Sequence, residues 1–411
     1  MPGETEYLGA VASNAGDDFH VLWATREVLR LLDPTSDVAA VKVEGLPSDL
    51  IHAELGEHGQ AVDVALTRTV AGKERYRYLQ LKHSTTNPAT AWTWARLLAP
   101  RARTKPQSSV LGKLAALMKA VSFQGDFSIL TNQPLADGVA EDVARLIGAR
   151  AKRASGDAAL IARLIKQLGL GERELLHFLR AWDLSGFASA SRLSMEGEIL
   201  QRLVAMVDAD ARDDANAIAR RIATLMLPES RNEPPVTREL LLIWLGVGSK
   251  GMAFPAPSSI SPANPYLRRG VAAELRNALL APQTKPLRVH ANGGCGKTSL
   301  LCDLPALLPA GSELFLYDSY GGGLFLASDQ KRHLPEQAFV QIGNEIAARL
   351  RTPLLVRRQT SFDVFEAFRN RAIVAAGLLA ERGPDALLVL GFDAVDNART
   401  GANHWHEPCF S

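Results

Sequence analysis

Three stretches near the amino end alternate apolar and polar positions with the period of two that a half-buried strand requires. In AAVKVEG (39–45) Val41 and Val43 share one face and Lys42 and Glu44 the other; in AVDVAL (61–66) Val62, Val64 and Leu66 oppose Asp63 and Ala65. In YRYLQLK (76–82) Leu79 and Leu81 oppose Tyr78, Gln80 and Lys82. Before them, Val21, Ala24, Val28 and Leu31 recur at helical spacing behind Asp17 and Asp18, which predicts an amphipathic helix with its acids at the positive end. A helix over 110–121 and a strand from Asp126 (DFSILT) complete the block, an α/β unit ending near Leu135.

Residues 136–245 are rich in Leu, Ala and Arg, with helical periodicity in runs such as 172–181 and 199–207 and no convincing strand, so they read as a helical connector. Residues 246–264 string together Gly, Pro and Ser and read as a linker. From 265 to 411 apolar strands alternate with helical runs, a second α/β region.

Composition narrows the class. The 411 residues are 47% hydrophobic and 22% charged, values of a globular chain, and 46 basic against 44 acidic side chains leave a formal charge of +2. Any nucleic-acid site must therefore be local, and Arg101, Arg103 and Lys105 with Arg150, Lys152 and Arg153 are the available basic runs. Three cysteines make no disulfide framework or zinc spacing, and the longest apolar run, 239–247, is about half a bilayer span. The expectation is a soluble cytoplasmic protein.

Two constellations carry chemistry. Residues 291–299 read Ala-Asn-Gly-Gly-Cys-Gly-Lys-Thr-Ser after the short apolar run 287–290, read as a strand, and before an apolar helical run. This is a P-loop: Gly293, Gly294, Cys295 and Gly296 turn backbone N–H groups onto a phosphate, Lys297 reaches the β and γ phosphates, Thr298 ligates Mg²⁺, and Ser299 continues the loop into the helix. Ala291 stands where the general pattern has its first glycine. Downstream, ALLVLGFDAVDNA (386–398) is a buried strand ending in Asp393, a second Mg²⁺ position, with Asp396 placed to orient or activate water. Gly391 interrupts its apolar run. Cys295 sits at the positive end of a helix dipole, a setting that activates a thiol toward alkylation.

The second constellation is Asp63 followed by Gln80 and Lys82, the order and strand placement of a PD-(D/E)XK nuclease. Asp63 binds a divalent metal in this reading, Gln80 adds a neutral oxygen or orients water, Lys82 polarises the attacking water, and Glu44 supplies a further carboxylate. His83 and His290 read as packed histidines.

Both stretches resemble known families. GGCGKTSLL, ELFLYDSYGGG (313–323) and DAVDNA are similar to STAND-type, NACHT-like P-loop NTPases, especially the antiviral STAND (AVAST-like) proteins of bacterial defence. That resemblance implies ATP and Mg²⁺ as cofactors, homo-oligomerisation on activation, and a phage-derived trigger sensed by a C-terminal region that this chain lacks. GDDFHVLWATREVLRLL, KVEG, VDVAL, YLQLKHS and FSILTNQPL resemble the double-stranded DNA endonuclease domain of CD-NTase-associated effectors, which implies non-specific cutting of duplex DNA. The organisation expected is a restriction-endonuclease-like α/β domain (1–135), the connector, the linker, and an incomplete P-loop NTPase with a parallel sheet and flanking helices (265–411). A domain that only binds nucleic acid or partners is the alternative for the first block.

Overall fold

A computed structural model describes residues 2–33, 35–47, 61–100, 106–148, 155–189, 192–205, 211–230, 232–247, 250–261, 269–282, 285–356, 364–407 and 409. The chain is α/β, divided into two compact units. Unit 1 comprises Met1–Leu31, Ser36–Arg202 and Arg212–Trp244; unit 2 comprises Leu32–Thr35, Leu203–Ala211 and Leu245–Ser411. The basic runs at 101–105 and 150–153 lie outside the described residues.

Unit 1 begins with α1 (Pro2–Leu29), so Asp17 and Asp18 lie in mid-helix rather than at its positive end. The periodicity nevertheless marks the packed side, since Phe19, Trp23, Ala24 and Val28 are buried. Next come β1 (Val38–Val43), β2 (Val64–Val70), β3 (Lys73–Lys82), α2 (Trp94–Leu97), α3 (Val110–Ala120) and β4 (Asp126–Thr131). The segment 136–245 then adds α4 (Asp137–Gly148), α5 (Ser155–Leu168), α6 (Glu172–Ala181), β5 (Trp182–Asp183), α7 (Arg192–Val204), α8 (Ala211–Leu225), β6 (Val236–Thr237) and α9 (Arg238–Trp244).

The six strands form one mixed sheet in the order β5-β4-β3-β2-β1-β6. β1, β2 and β3 are an antiparallel meander, and α3 carries the chain across so that β4 runs parallel to β3, with Gln80 opposite Ile129. Leucines of α3 and α5, with Phe178 and Leu179 of α6, bury one face of the sheet together with Tyr76, Tyr78, Phe127 and Ile129. On the other face Trp23 of α1 lines one cavity with Leu66, Leu79 and Leu130.

The segment expected to be a connector is thus part of this body. Its strands are only two residues long, too short to show a period, yet they close both edges of the sheet. Phe178 and Trp182 stack on Phe127 of β4 at centroid distances of 4.6 and 6.0 Å. Burial of a side chain of that size stabilises a fold by about 2–3 kcal/mol.

Unit 2 contains α10 (Lys250–Ala253), α11 (Val271–Leu280), α12 (Lys297–Asp303), β7 (Glu313–Asp318), α13 (Pro335–Leu350), α14 (Val364–Arg382), β8 (Leu388–Asp393) and α15 (Val395–Trp405). β7 and β8 are parallel and paired from Glu313 opposite Leu388 to Asp318 opposite Asp393. Gly391 fits here because a Cβ would lie 2.9 Å from Leu316 Cδ1, so its absence lets the neighbouring leucine fill the sheet face. α13 and α14 cover the pair through Phe315, Tyr317, Ile342, Ile346, Phe368 and Leu379.

Two expectations fail in this unit. The stretch 287–290 forms no strand: Leu287 and Val289 are 39% and 43% exposed, so no buried face drives them into a ladder. The linker expected at 246–264 is held in its described part. Ala256 is fully buried and donates its N–H to Gln341 Oε1 at 2.9 Å, while Ser259 donates from N and Oγ to Asp318 Oδ2 at 3.0 and 2.9 Å. Pro and Gly exclude a long helix there, but side chains of α13 and β7 satisfy the extended backbone instead.

Candidate functional site

In unit 1, β1 ends at Val43 and the next two residues enter the left-handed region, Glu44 at φ 54° and Gly45 at 105°. Glu44 therefore reaches its position through a turn and not through strand alternation. Its N–H donates to Asp63 C=O at 2.8 Å, fixing the two residues side by side.

Asp63 precedes β2. The ladder sets Val64 opposite Leu79, yet Asp63 N–H also donates to Leu79 C=O at 3.0 Å, so two residues oppose one and the strand enters through a bulge. This corrects the simple alternation expected for 61–66, because Val62 joins Ala65 in the same core. The Asp63 carboxylate then reaches β3, where Oδ2 accepts the Leu81 N–H at 2.5 Å.

Lys82, at the end of β3, places Nζ 4.0 Å from Asp63 Oδ2 and donates to its neighbour's carbonyl, Leu81 O, at 2.8 Å. Gln80, two residues earlier on the same strand face, is 5% exposed, and its Oε1 is buried with no hydrogen-bond partner among the described residues. A buried acceptor left unpaired costs about 1–3 kcal/mol.

His20 of α1 joins Glu44 and Asp63. One ring nitrogen and one carboxylate oxygen each from Glu44 and Asp63 lie within 4.8 Å of one another. Burial, chiefly, pushes His20 below its ordinary value, with Asp63 opposing and Lys82 assisting, and its ring is hydrogen-bonded to the Leu81 backbone. Burial and then the nearby Asp63 charge push Glu44 up to about 7, against the pull of Lys82. Two carboxylates and a neutral imidazole make a donor set that fits a divalent cation.

Reasoning from sequence brought Glu44, Asp63, Gln80 and Lys82 into view but missed His20. Its signal was its place three residues after Asp17 on one helix, and Asp17 does act on both His20 and Glu44 electrostatically. The His83 ring lies 4.7 Å from that of Phe19, and burial, assisted by the nearby His20, holds it below its ordinary value.

In unit 2 the glycine loop takes the backbone that glycine permits, with Gly294 at φ 74° and Gly296 at 90° where it caps α12. Lys297 Nζ donates to Ala291 O at 2.7 Å and Asn292 O at 3.0 Å, folding over its own loop. Thr298 Oγ1 donates to Asp393 Oδ2 at 2.7 Å, joining the two Mg²⁺ positions expected from 95 residues apart. A hydroxyl and a carboxylate meeting at the end of a parallel strand fit a hydrated Mg²⁺. Gly293, Cys295 and Ser299 lie in or beside the loop, and Arg269 donates to Cys295 O at 2.8 Å, a support the sequence did not announce. Asp396 is exposed in the first turn of α15, past Ala394 in the left-handed region.

No protein-family description matches the chain, and no curated protein matches it. Among solved structures it is similar to the Acinetobacter baumannii Cap4 SAVED/CARF-domain containing receptor with the cyclic trinucleotide 2'3'3'-cAAA, at 9% identity and a TM-score of 0.33. The match covers 91% of this chain and 61% of that one, so the chain spans less than two thirds of the receptor's length. Among the described residues no helix is long and apolar enough to cross a membrane.

Proposed function

We propose that unit 1 hydrolyses phosphodiester bonds of duplex DNA with a divalent cation, and that unit 2 binds ATP with Mg²⁺ and controls this activity in antiphage defence. The observation that carries the first part is the meeting of His20, Glu44, Asp63 and Lys82, drawn from a helix, a turn, a bulge and a strand end. A structural ion pair needs only one carboxylate and one base. Here burial, and then the neighbouring Asp63 charge, raise the Glu44 pKa, an arrangement that a cation relieves.

Glu44 and Asp63 would hold the metal, which supplies charge neutralisation at the phosphate and a more acidic bound water. Lys82, within 4.0 Å of Asp63, stands where an ammonium orients the attacking water and stabilises charge developing on the phosphorus oxygens. Gln80 offers its unpaired oxygen on the same face, and the Leu81 N–H holds Asp63 in place. The full chain should nick plasmid DNA with Mn²⁺ or Mg²⁺ and stop in EDTA, and Asp63→Asn should lower the rate at least about 100-fold. Retained cutting in that variant would remove the assignment.

The second part is supported by Thr298 and Asp393. On this reading ATP replaces the internal bonds of Lys297, and Thr298→Ala should weaken Mg²⁺-dependent ATP binding by about 10-fold or more in a titration with a fluorescent analogue. Equal affinity would leave unit 2 without the proposed role. The placement in antiphage defence, homo-oligomerisation and a phage-derived trigger rest on the sequence resemblance. A unit 1 that bound duplex DNA but never cut it would be a recognition module instead.

A further inference from the structure

We propose that His20 is a direct metal ligand, which makes the unit 1 site a mixed nitrogen and oxygen centre for a first-row transition cation such as Mn²⁺ in preference to Mg²⁺. The inference deepens the metal-dependent reading and uses the same carboxylates, but it concerns which cation is held and holds whether or not DNA is cut.

Three observations carry it. The His20 ring nitrogen shares a sphere of 4.8 Å with oxygens of Glu44 and Asp63, a spread that a modest side-chain adjustment closes onto one ion. Its ring is hydrogen-bonded to the Leu81 backbone, and an imidazole that donates one N–H to a carbonyl keeps a lone pair on its other nitrogen. The Asp63 carboxylate is fixed by the Leu81 N–H at 2.5 Å, so the same residue of β3 braces two of the three donors.

The chemistry of that donor set decides the cation. Mg²⁺ takes oxygen ligands almost exclusively and keeps much of its water, whereas a first-row transition ion accepts an imidazole beside carboxylates; Mn²⁺ favours oxygen as well, but tolerates the one nitrogen of this set better than Mg²⁺ does. A purely structural histidine, held by its packing and the Leu81 backbone, would leave metal affinity unchanged when replaced. His20 lies half-buried beside two acids, where a ligand role adds to that support.

The test uses the full chain without nucleotide and Mn²⁺ or Mg²⁺ alone as the probe. Binding that depends on Asp63 is isolated by subtracting the Asp63→Asn variant, which removes any contribution from the Thr298 and Asp393 pair. Wild-type protein should bind Mn²⁺ at least about 10-fold more tightly than Mg²⁺ at this site. His20→Gln, which keeps bulk and polarity, should weaken Mn²⁺ binding by about 10-fold or more and change Mg²⁺ binding by less than about 3-fold. Pulsed electron paramagnetic resonance of bound Mn²⁺ should show histidine nitrogen coupling in the wild type and lose it in His20→Gln; circular dichroism establishes that the variant is folded, and His20→Asn replaces it otherwise. Equal Mn²⁺ affinity with and without His20, or Asp63-dependent Mn²⁺ lacking nitrogen coupling, overturns the proposal. Mn²⁺ held through nitrogen by a protein that cuts no DNA would sustain it while removing the nuclease reading.

Discussion

At the residue scale, Glu44 shows how a charge is stored at the site. Its folded pKa of about 7 stands above the ordinary 4.5 because burial and Asp63 disfavour the carboxylate. The folded chain therefore holds a proton that the unfolded chain has released between those values, and stability without metal falls as pH rises from about 4.5 to 7. After solvent screening the loss is about 2 kcal/mol. Glu44→Gln should flatten that part of the profile in EDTA and stabilise the metal-free chain by about this amount at pH 8, read by urea denaturation. A wild-type profile level across this range would contradict the crowding. The sequence singled out Glu44 by strand alternation, but a left-handed turn delivers it. Local pattern carries residue type and order well and says little about a turn that departs from the period. His20 was harder to see for another reason: beyond its place three residues after Asp17, its partners lie 24 and 43 positions away, and the packing of α1 on the sheet unites them.

At the scale of elements, the meander and its crossover were legible because β1 to β4 each carry enough residues to show their period. β5 and β6 were not, since two residues have no period and their strand character comes from the edge they meet. The stretch 287–290 shows the reverse failure, an apolar-biased run with no ladder to join. Packing of 136–245 onto the sheet yields a direct expectation. Phe178→Ala, which empties a fully buried position against Phe127, should destabilise unit 1 by about 3–5 kcal/mol and move its denaturation midpoint accordingly. A mere connector would leave the unit 1 transition unmoved.

At the scale of the molecule, each unit offers a place for a divalent cation, and each is assembled from segments far apart in the chain. Glu44 and Asp63 meet in unit 1, and Thr298 and Asp393 meet in unit 2 at 2.7 Å. The P-loop letters were strong enough to place Lys297 and Thr298 from sequence, because glycine spacing before a lysine has few other uses. The nuclease letters were weaker, and it is the geometry around Asp63 that gives them weight. The central claim is that this geometry performs hydrolysis. The most direct measurement is plasmid cleavage by the full chain and by Lys82→Ala, with Mn²⁺ affinity determined in parallel for both. On the proposed reading the variant should bind Mn²⁺ and DNA as the wild type does and cut at least about 100-fold more slowly, because there the lysine acts on the reacting water and not on the metal. Cleavage at the wild-type rate without Lys82, or a folded wild type that binds Mn²⁺ and DNA and never cuts, would contradict it.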